Sequence, residues 1–303
     1  MERMEENFKL LCKRVIDSLE KSDLESIRDM LSRINEATIL TGSGGSSVVS
    51  LYGSKVLESK NSIIATSLSP RDMLYKNING YKNIISCSYS GSNYGVDTSF
   101  NNNLSKYLLS TGRIDGVHNL TYVMDKENSF ISLAATLTPM AVMLSYYLDG
   151  KNDVIKDILD SGYEVRIDTA STYEVMSGYE SNVAAKYLES TLVESGLGNC
   201  IVHDKYDFCH GRSTLGYHEL NEMIYFNGNT ELDKTFLSLL ESEGRRVSVI
   251  DQKYSDHIVN DFYYTYISML LTHQLALQKH KSLSKVEYDP NIVKKVYKYH
   301  GGM

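Results

Sequence analysis

Cysteine is scarce and unpatterned. The four residues Cys12, Cys87, Cys200 and Cys209 contain no C-x-x-C pair, which argues against a disulfide framework or a zinc site, so no metal is expected. Long apolar runs are missing too: no window approaches the roughly 20 apolar residues needed to cross a bilayer. There is no excess of basic charge. The formal net charge is −7 and the Lys and Arg residues are scattered, whereas binding a nucleic-acid backbone needs a concentrated cationic surface. The N-terminal Met1-Glu2-Arg3-Met4-Glu5-Glu6 has no signal-peptide core, so a cytoplasmic protein is expected. Tryptophan is absent and proline occurs three times, with no low-complexity run; with 42% hydrophobic and 23% charged residues the composition is globular, and 303 residues suffice for two domains.

What is present is a pair of small-residue loops, each closing a short apolar run. Ala37-Thr38-Ile39-Leu40 leads into Thr41-Gly42-Ser43-Gly44-Gly45-Ser46-Ser47, and Ile84-Ile85-Ser86-Cys87 leads into Ser88-Tyr89-Ser90-Gly91-Ser92-Asn93. The runs read as buried parallel strands. Helical spacing follows each loop: Val48, Val49, Leu51, Tyr52 and Val56 after the first, Val96, Phe100, Leu104 and Leu108 after the second. A strand, a glycine-bearing turn and a helix N-terminus make an anion site, because unpaired N–H groups point at the ligand and glycine lets it approach. The first loop lacks the third glycine of a dinucleotide fingerprint, and no acid closes the next strand at Ser67-Leu68-Ser69. Neither loop carries the Gly-Lys-Ser/Thr of a triphosphate loop. For the first loop alone, tight packing explains the glycines as well as binding does; two such loops on neighbouring strands favour a small phosphorylated metabolite.

The pattern predicts one or two amphipathic helices over residues 5–35. Strands at Ala37–Leu40, Ile63–Leu68, Asn83–Cys87 and Leu120–Met124 alternate with helices, and an apolar helix containing Pro139 spans 130–148. After the polar stretch Asp149-Gly150-Lys151-Asn152 a second alternating block begins: a helix over 180–195, strands at 198–202, 222–226 and 246–250, a helix over 232–240 and an apolar helix over 258–279. The expected architecture is α/β, two tandem three-layer αβα domains with parallel flavodoxin-like sheets, the first covering residues 1–160 and the second 161–303.

Chemistry is less local. Lys186 and Glu189 stand one helical turn apart, a spacing that an exposed ion pair explains equally well. His210 lies in the polar segment Tyr206-Asp207-Phe208-Cys209-His210-Gly211-Arg212, a loop position with some prospect of function. Cys209 beside it would suit a nucleophile, but neighbours on an extended backbone point to opposite sides. Lys285 follows the last apolar helix.

Together these residues form a pattern. From about residue 37 to 288 the chain resembles tandem sugar isomerase (SIS) domain proteins: the isomerase half of glucosamine-6-phosphate synthase and, more closely, the fructosamine-6-phosphate deglycase type. The resemblance rests on Ile39 to Ser46, on Ser88-Tyr89-Ser90-Gly91-Ser92-Asn93, on the strip Glu127 to Ser132, and on Glu189, His210-Gly211 and Lys285. It implies phosphate contacts from Gly44, Ser46, Ser47, Ser88, Tyr89, Ser90 and Asn93, and a substrate contact from Ser132. Glu189 corresponds to the catalytic glutamate and Lys186 to a lysine one turn earlier. His210 would open the sugar ring, and Lys285 would form an imine. The resemblance further implies an isomerase, deaminase or deglycase acting without a cofactor on a phosphorylated amino sugar or fructosamine. Paired chains would share each site, as a homodimer or dimer of dimers, with no nucleic acid or membrane partner. A sensor of sugar phosphates that regulates a partner protein is the alternative. Arg212 replaces the small residue that usually follows His-Gly; it either pairs with Asp207, which stands where the pattern has glutamate, or recognises a second acidic group on the substrate.

Overall fold

In Thr38-Ile39-Leu40-Thr41 every residue is buried, and so is every residue of Asn83–Cys87. Strands covered on both faces are what a parallel sheet between helices requires. The computed structural model describes residues 2–92, 94–127, 129–162, 166–212, 221–284 and 291. Helices α1 (Glu2–Lys9), α2 (Leu11–Lys21) and α3 (Leu24–Ser32) come first. Phe8, Leu11, Val15, Leu19, Ile27 and Leu31 form their buried stripe, each side chain contributing about 1.5–3 kcal/mol. Asp23 caps α3 by accepting the Ser26 N–H at 3.1 Å.

The first sheet is built from β1 (Thr38–Thr41), β2 (Ala65–Leu68), β3 (Asn83–Cys87), β4 (Ser105–Ser110) and β5 (His118–Thr121). All pairings are parallel, in the order β2-β1-β3-β4-β5. Between β1 and β2 runs α4 (Gly45–Asn61), which lies so close to the sheet that a Cβ on Gly53 would meet Leu40 Cδ2 at 2.7 Å. Helices α5 (Tyr94–Phe100) and α6 (Ala134–Tyr147) follow, α6 being buried over nearly its whole length and containing Pro139.

The segment after α5 departs from expectation. The helical spacing of Val96, Phe100, Leu104 and Leu108 continues only to Phe100, and residues 105–110 form β4. Asn102 is the reason: its side chain donates to the Ser99 carbonyl at 2.6 Å and accepts the Leu104 N–H at 2.9 Å, taking up backbone groups the helix would need.

The second sheet consists of β6 (Thr172–Ser177), β7 (Asn199–Asp204), β8 (Asn221–Asn227) and β9 (Val247–Asp251), parallel throughout in the order β7-β6-β8-β9. Its helices are α7 (Asp153–Asp160), α8 (Asn182–Glu194), α9 (Lys205–Cys209), α10 (Glu231–Ser242) and α11 (His257–Gln278). Both sheets thus share a 2-1-3-4 order, the flavodoxin-like arrangement, with one further strand in the first. Strand β6 has no counterpart in the sequence reading because Glu174 interrupts its apolar pattern; the carboxylate is buried, accepting from Asn221 Nδ2 at 2.6 Å and lying 3.4 Å from His203 Nε2. Residues 205–209, expected as loop, are helical, with Asp204 capping the Tyr206 and Asp207 N–H groups.

The chain divides into two compact units, residues up to Asn152 together with Leu283, and Asp153–Ser282. The division falls at the polar stretch ending in Asn152 rather than at residue 160, since α7 packs with the second unit: its Leu159 carbonyl accepts the Tyr266 hydroxyl at 3.0 Å.

Candidate functional site

In the first unit the strand order reverses between β1 and β3, and the loops that leave their C-terminal ends flank the crevice where open α/β sheets bind ligands. The register Thr41↔Ser86 brings the two strand ends level. The loop after β1 is tightly built. A Cβ on Gly42 would lie 2.4 Å from the Ser46 carbonyl oxygen, and one on Gly45 would lie 2.5 Å from Thr136 Oγ1 and 2.9 Å from the Ser132 side chain. Packing therefore explains those two glycines. Gly44 differs: it precedes α4 with φ 57°, and nothing stands within 4 Å of where its Cβ would be. The apex at Ser43 and Gly44 is exposed, with Ser46 and Ser47 half-buried behind it. Ser47 donates its hydroxyl to the Gly44 carbonyl at 2.7 Å.

The loop after β3 is a set of hydroxyls around a left-handed glycine. Ser88 Oγ accepts the Gly91 N–H at 3.1 Å, Ser90 Oγ accepts from the Ser92 hydroxyl at 3.1 Å, and Gly91 has φ 70°. Behind it, residues that follow β4 act as a brace. Thr111 donates to the Tyr89 carbonyl through N–H at 3.0 Å and hydroxyl at 2.8 Å, and a Cβ on Gly112 would come within 2.4 Å of the Ser90 carbonyl oxygen. A helical reading of residues 104–108 hides that brace. Asn93 lies outside the described residues.

In the strip from Glu127 to Ser132, Ser132 adjoins the first loop and Glu127 the second. Ser132 accepts the Thr136 hydroxyl at 2.8 Å and packs at Gly45. Glu127 acts on the helix instead. Its carboxylate accepts the N–H groups of Leu133, Ala134 and Ala135 at 3.0, 3.0 and 3.1 Å and fills the N-terminus of α6. Burial pushes its carboxyl up, with the three N–H groups acting against that. Burial also raises the Tyr89 hydroxyl, assisted by the negative charges of Glu127 and Asp125, so the strip and the second loop share one electrostatic environment.

In the second unit α8 carries Asn182, Lys186 and Glu189 along one stripe, while Val183, Ala184, Tyr187, Leu188 and Leu192 face the core. The stripe and Ser177, Cys200, Ile201 and Val202 line an open cleft of about 440 Å³ beside edge strand β7. Glu189 and Lys186 are half-buried at its wall. The helix is held in place by α11, where the buried Asp261 accepts the Ala184 N–H at 3.3 Å and Thr272 shares a hydrogen bond with Thr191 at 3.2 Å. Burial and the Glu189 charge push the Cys200 thiol up to about 12, so it is a neutral part of the cleft floor.

His210 closes α9 as its C-cap residue and is exposed, as is Arg212. Asp207 and Arg212 make no ion pair with each other among the described residues. Exposed Cys209 donates its thiol to the Lys205 carbonyl at 3.6 Å. Lys285 lies outside the described residues.

Sequence reading missed a charged cluster where β6, β7 and β8 end. Lys205 Nζ lies 2.6 Å from Asp233 Oδ1 and 2.8 Å from Glu180 Oε1, and 5.0 Å from the centre of the Tyr225 ring. Asp233 also accepts the Tyr225 hydroxyl at 2.8 Å and forms a capping box with Thr230 at the start of α10. The only local signal was that Thr230-x-x-Asp233 box. The corresponding edge of the first sheet carries the serine hydroxyls of its two loops, whereas here carboxylates enclose an ammonium already paired.

No family model matches the sequence, and no curated protein matches it either. Solved structures do match in fold. Tagatose-6-phosphate ketose/aldose isomerase from Escherichia coli superposes with a TM-score of 0.75 at 16% identity, over 93% of this chain and 94% of that one. The C-terminal domain of glucosamine-fructose-6-phosphate aminotransferase from Francisella tularensis gives 0.71 at 13% identity, over 93% and 97%. Glucosamine-6-phosphate deaminase from Thermotoga maritima gives 0.66 at 12% identity, over 91% and 97%. The chain therefore has the sugar isomerase domain fold, with two parallel sheets. Among the described residues no helix is long and apolar enough to cross a membrane.

Proposed function

We propose that this chain is a phosphosugar isomerase-type enzyme acting on a phosphorylated amino sugar or fructosamine, by isomerisation, deamination or deglycation. The observation that carries the reading is the pair of hydroxyl-bearing turns at the order reversal of the first sheet, in a fold shared with a ketose/aldose isomerase and a deaminase of sugar phosphates. Gly44, Ser46, Ser47, Ser88, Tyr89 and Ser90 hold the phosphate with N–H and hydroxyl donors, Asn93 adds to them, and Ser132 contacts the sugar. The remote phosphate supplies binding energy that orients the reacting carbons.

Glu189 moves a proton between C1 and C2, as suits a carboxylate at the wall of a cleft, and Lys186 one turn earlier offers a cation to the oxygens. His210 protonates the ring oxygen as the sugar opens. Attack of the neutral Lys285 amine on the ketose carbonyl expels water and leaves an imine, which acidifies the C1–H bond for Glu189. Arg212, unpaired with Asp207, meets a second acidic group on the substrate. Two chains assemble each site, as a homodimer or a dimer of dimers.

The test is deuterium exchange at C1 and C2, followed by NMR on a panel of sugar phosphates and phosphorylated fructosamines in D2O. Exchange is expected with the wild-type protein and is lost in Glu189→Gln, which still binds by thermal shift. Undiminished exchange in that variant refutes the role of Glu189. Tight binding without turnover across the whole panel identifies a sugar-phosphate sensor instead.

A further inference from the structure

Helix α9 is five residues long, too short to hold its own shape, so its orientation comes from what its two sides meet. Helical spacing places Lys205 and Phe208 on the inward side and Tyr206 and Asp207 on the other; Lys205 and Phe208 are buried, whereas Tyr206, Asp207 and His210 are exposed. The His210 N–H donates to the Asp207 carbonyl at 3.0 Å, tying the histidine to the last turn. Phe208 gives an apolar anchor, its ring 5.1 Å from that of His203 and 5.6 Å from that of Phe236. An apolar contact resists lifting but directs little. The polar anchor is of another kind: Lys205, 5% exposed, donates to Asp233, 1% exposed, and to Glu180, so that the turn after β6 and helix α10 both fix the first residue of α9. Asp233 is itself immobilised by Thr230 and Tyr225.

We infer that Lys205 is a positioning residue for His210, fixing α9 through its paired contacts to Asp233 and Glu180 so that the imidazole is presented in one direction. A buried ammonium costs desolvation that an apolar side chain would avoid, and what it adds is directional, charge-assisted contact to two separate elements. The inference rests on the reading in which His210 opens the sugar ring, but the tether is testable without it.

Two measurements separate the tether from the reaction. In the full-length protein, the imidazole NMR signals of His210, assigned by their loss in His210→Asn, are compared between wild type, Lys205→Met and Glu180→Gln. Glu180→Gln removes the charge from one anchor, keeps the Asp233 contact and serves if Lys205→Met does not fold. Shifted or broadened His210 signals, with those of His118 in the first unit unchanged, support the tether; unchanged His210 signals in a folded variant overturn it, whatever the protein's activity. Turnover of the sugar phosphate found by the exchange screen supplies the second reading. Lys205→Met is expected to lower kcat by about tenfold to a hundredfold with KM unchanged, and to cause no further loss in a His210→Asn background. Equal losses in both backgrounds overturn the positioning role. Absence of turnover in the wild type counts against the proposed function alone and leaves the NMR result to decide the tether.

Discussion

At the scale of the residue, the glycines of the first loop separate packing from binding. Gly45 faces Thr136 Oγ1, which an added Cβ would meet at 2.5 Å, whereas Gly44 faces open space with φ 57°. Gly45→Ala is expected to destabilise the fold by about 1–3 kcal/mol through overpacking. Gly44→Ala meets no neighbour and carries only backbone strain, φ 57° with ψ −133° being a combination that residues other than glycine rarely adopt, at a cost of roughly 1–3 kcal/mol. Urea denaturation measures both, and ligand-induced thermal shifts should show weaker sugar-phosphate binding in Gly45→Ala, which displaces the loop from Ser132. Unaltered stability in Gly45→Ala would contradict this account. The serines and glycines of both loops were legible in the sequence because each loop is a contiguous segment. Glu189 was not distinguishable from half of an exposed ion pair, since its half-buried place at the wall of a cleft depends on Ser177 and Cys200 from two strands.

At the scale of the element, buried charge within the second sheet sets a pH response. Burial works to raise the Glu174 carboxyl, yet His203 and Asn221 outweigh it and hold the group below its ordinary value of 4.5. A carboxyl depressed in the folded state contributes stability that is present above its unfolded value and lost as the pH falls through the lower folded one. Asp233 behaves in the same way below 3.8, with Lys205 and Thr230 overcoming burial. Glu127 has the opposite sign: its folded carboxyl is raised, so its contribution grows on acidification. Thermal unfolding followed from pH 6 to about pH 3 should therefore show a stability loss that Glu174→Gln makes shallower. An unchanged slope in that variant would exclude Glu174 as a source. The same buried pair explains why β6 escaped sequence reading, for a glutamate in mid-strand breaks the apolar pattern and its partners arrive from β7 and β8. The opposite error occurred at β4, where Leu104 and Leu108 continue a helical spacing across three asparagines that stop the helix.

At the scale of the molecule, two sheets of the same strand order end in different chemistry. The first presents hydroxyls and N–H groups where the order reverses; the second presents Asp233 and Glu180 closed on Lys205. Calorimetric titration with a sugar phosphate is accordingly expected to give a stoichiometry of about one per chain, and two equivalent sites per chain would contradict the difference between the edges. Sequence alone determined the alternation of strands and helices, the parallel class of both sheets and the two hydroxyl loops, because burial on both faces writes continuous apolar runs and tight turns demand small residues locally. Tertiary structure alone decided that Glu127 caps α6, that Ser110–Gly112 braces the second loop, and that Lys205 finds its partners 25 and 28 residues away along the chain. Those outcomes depend on which charged and polar groups meet after folding, and no local periodicity carries that information.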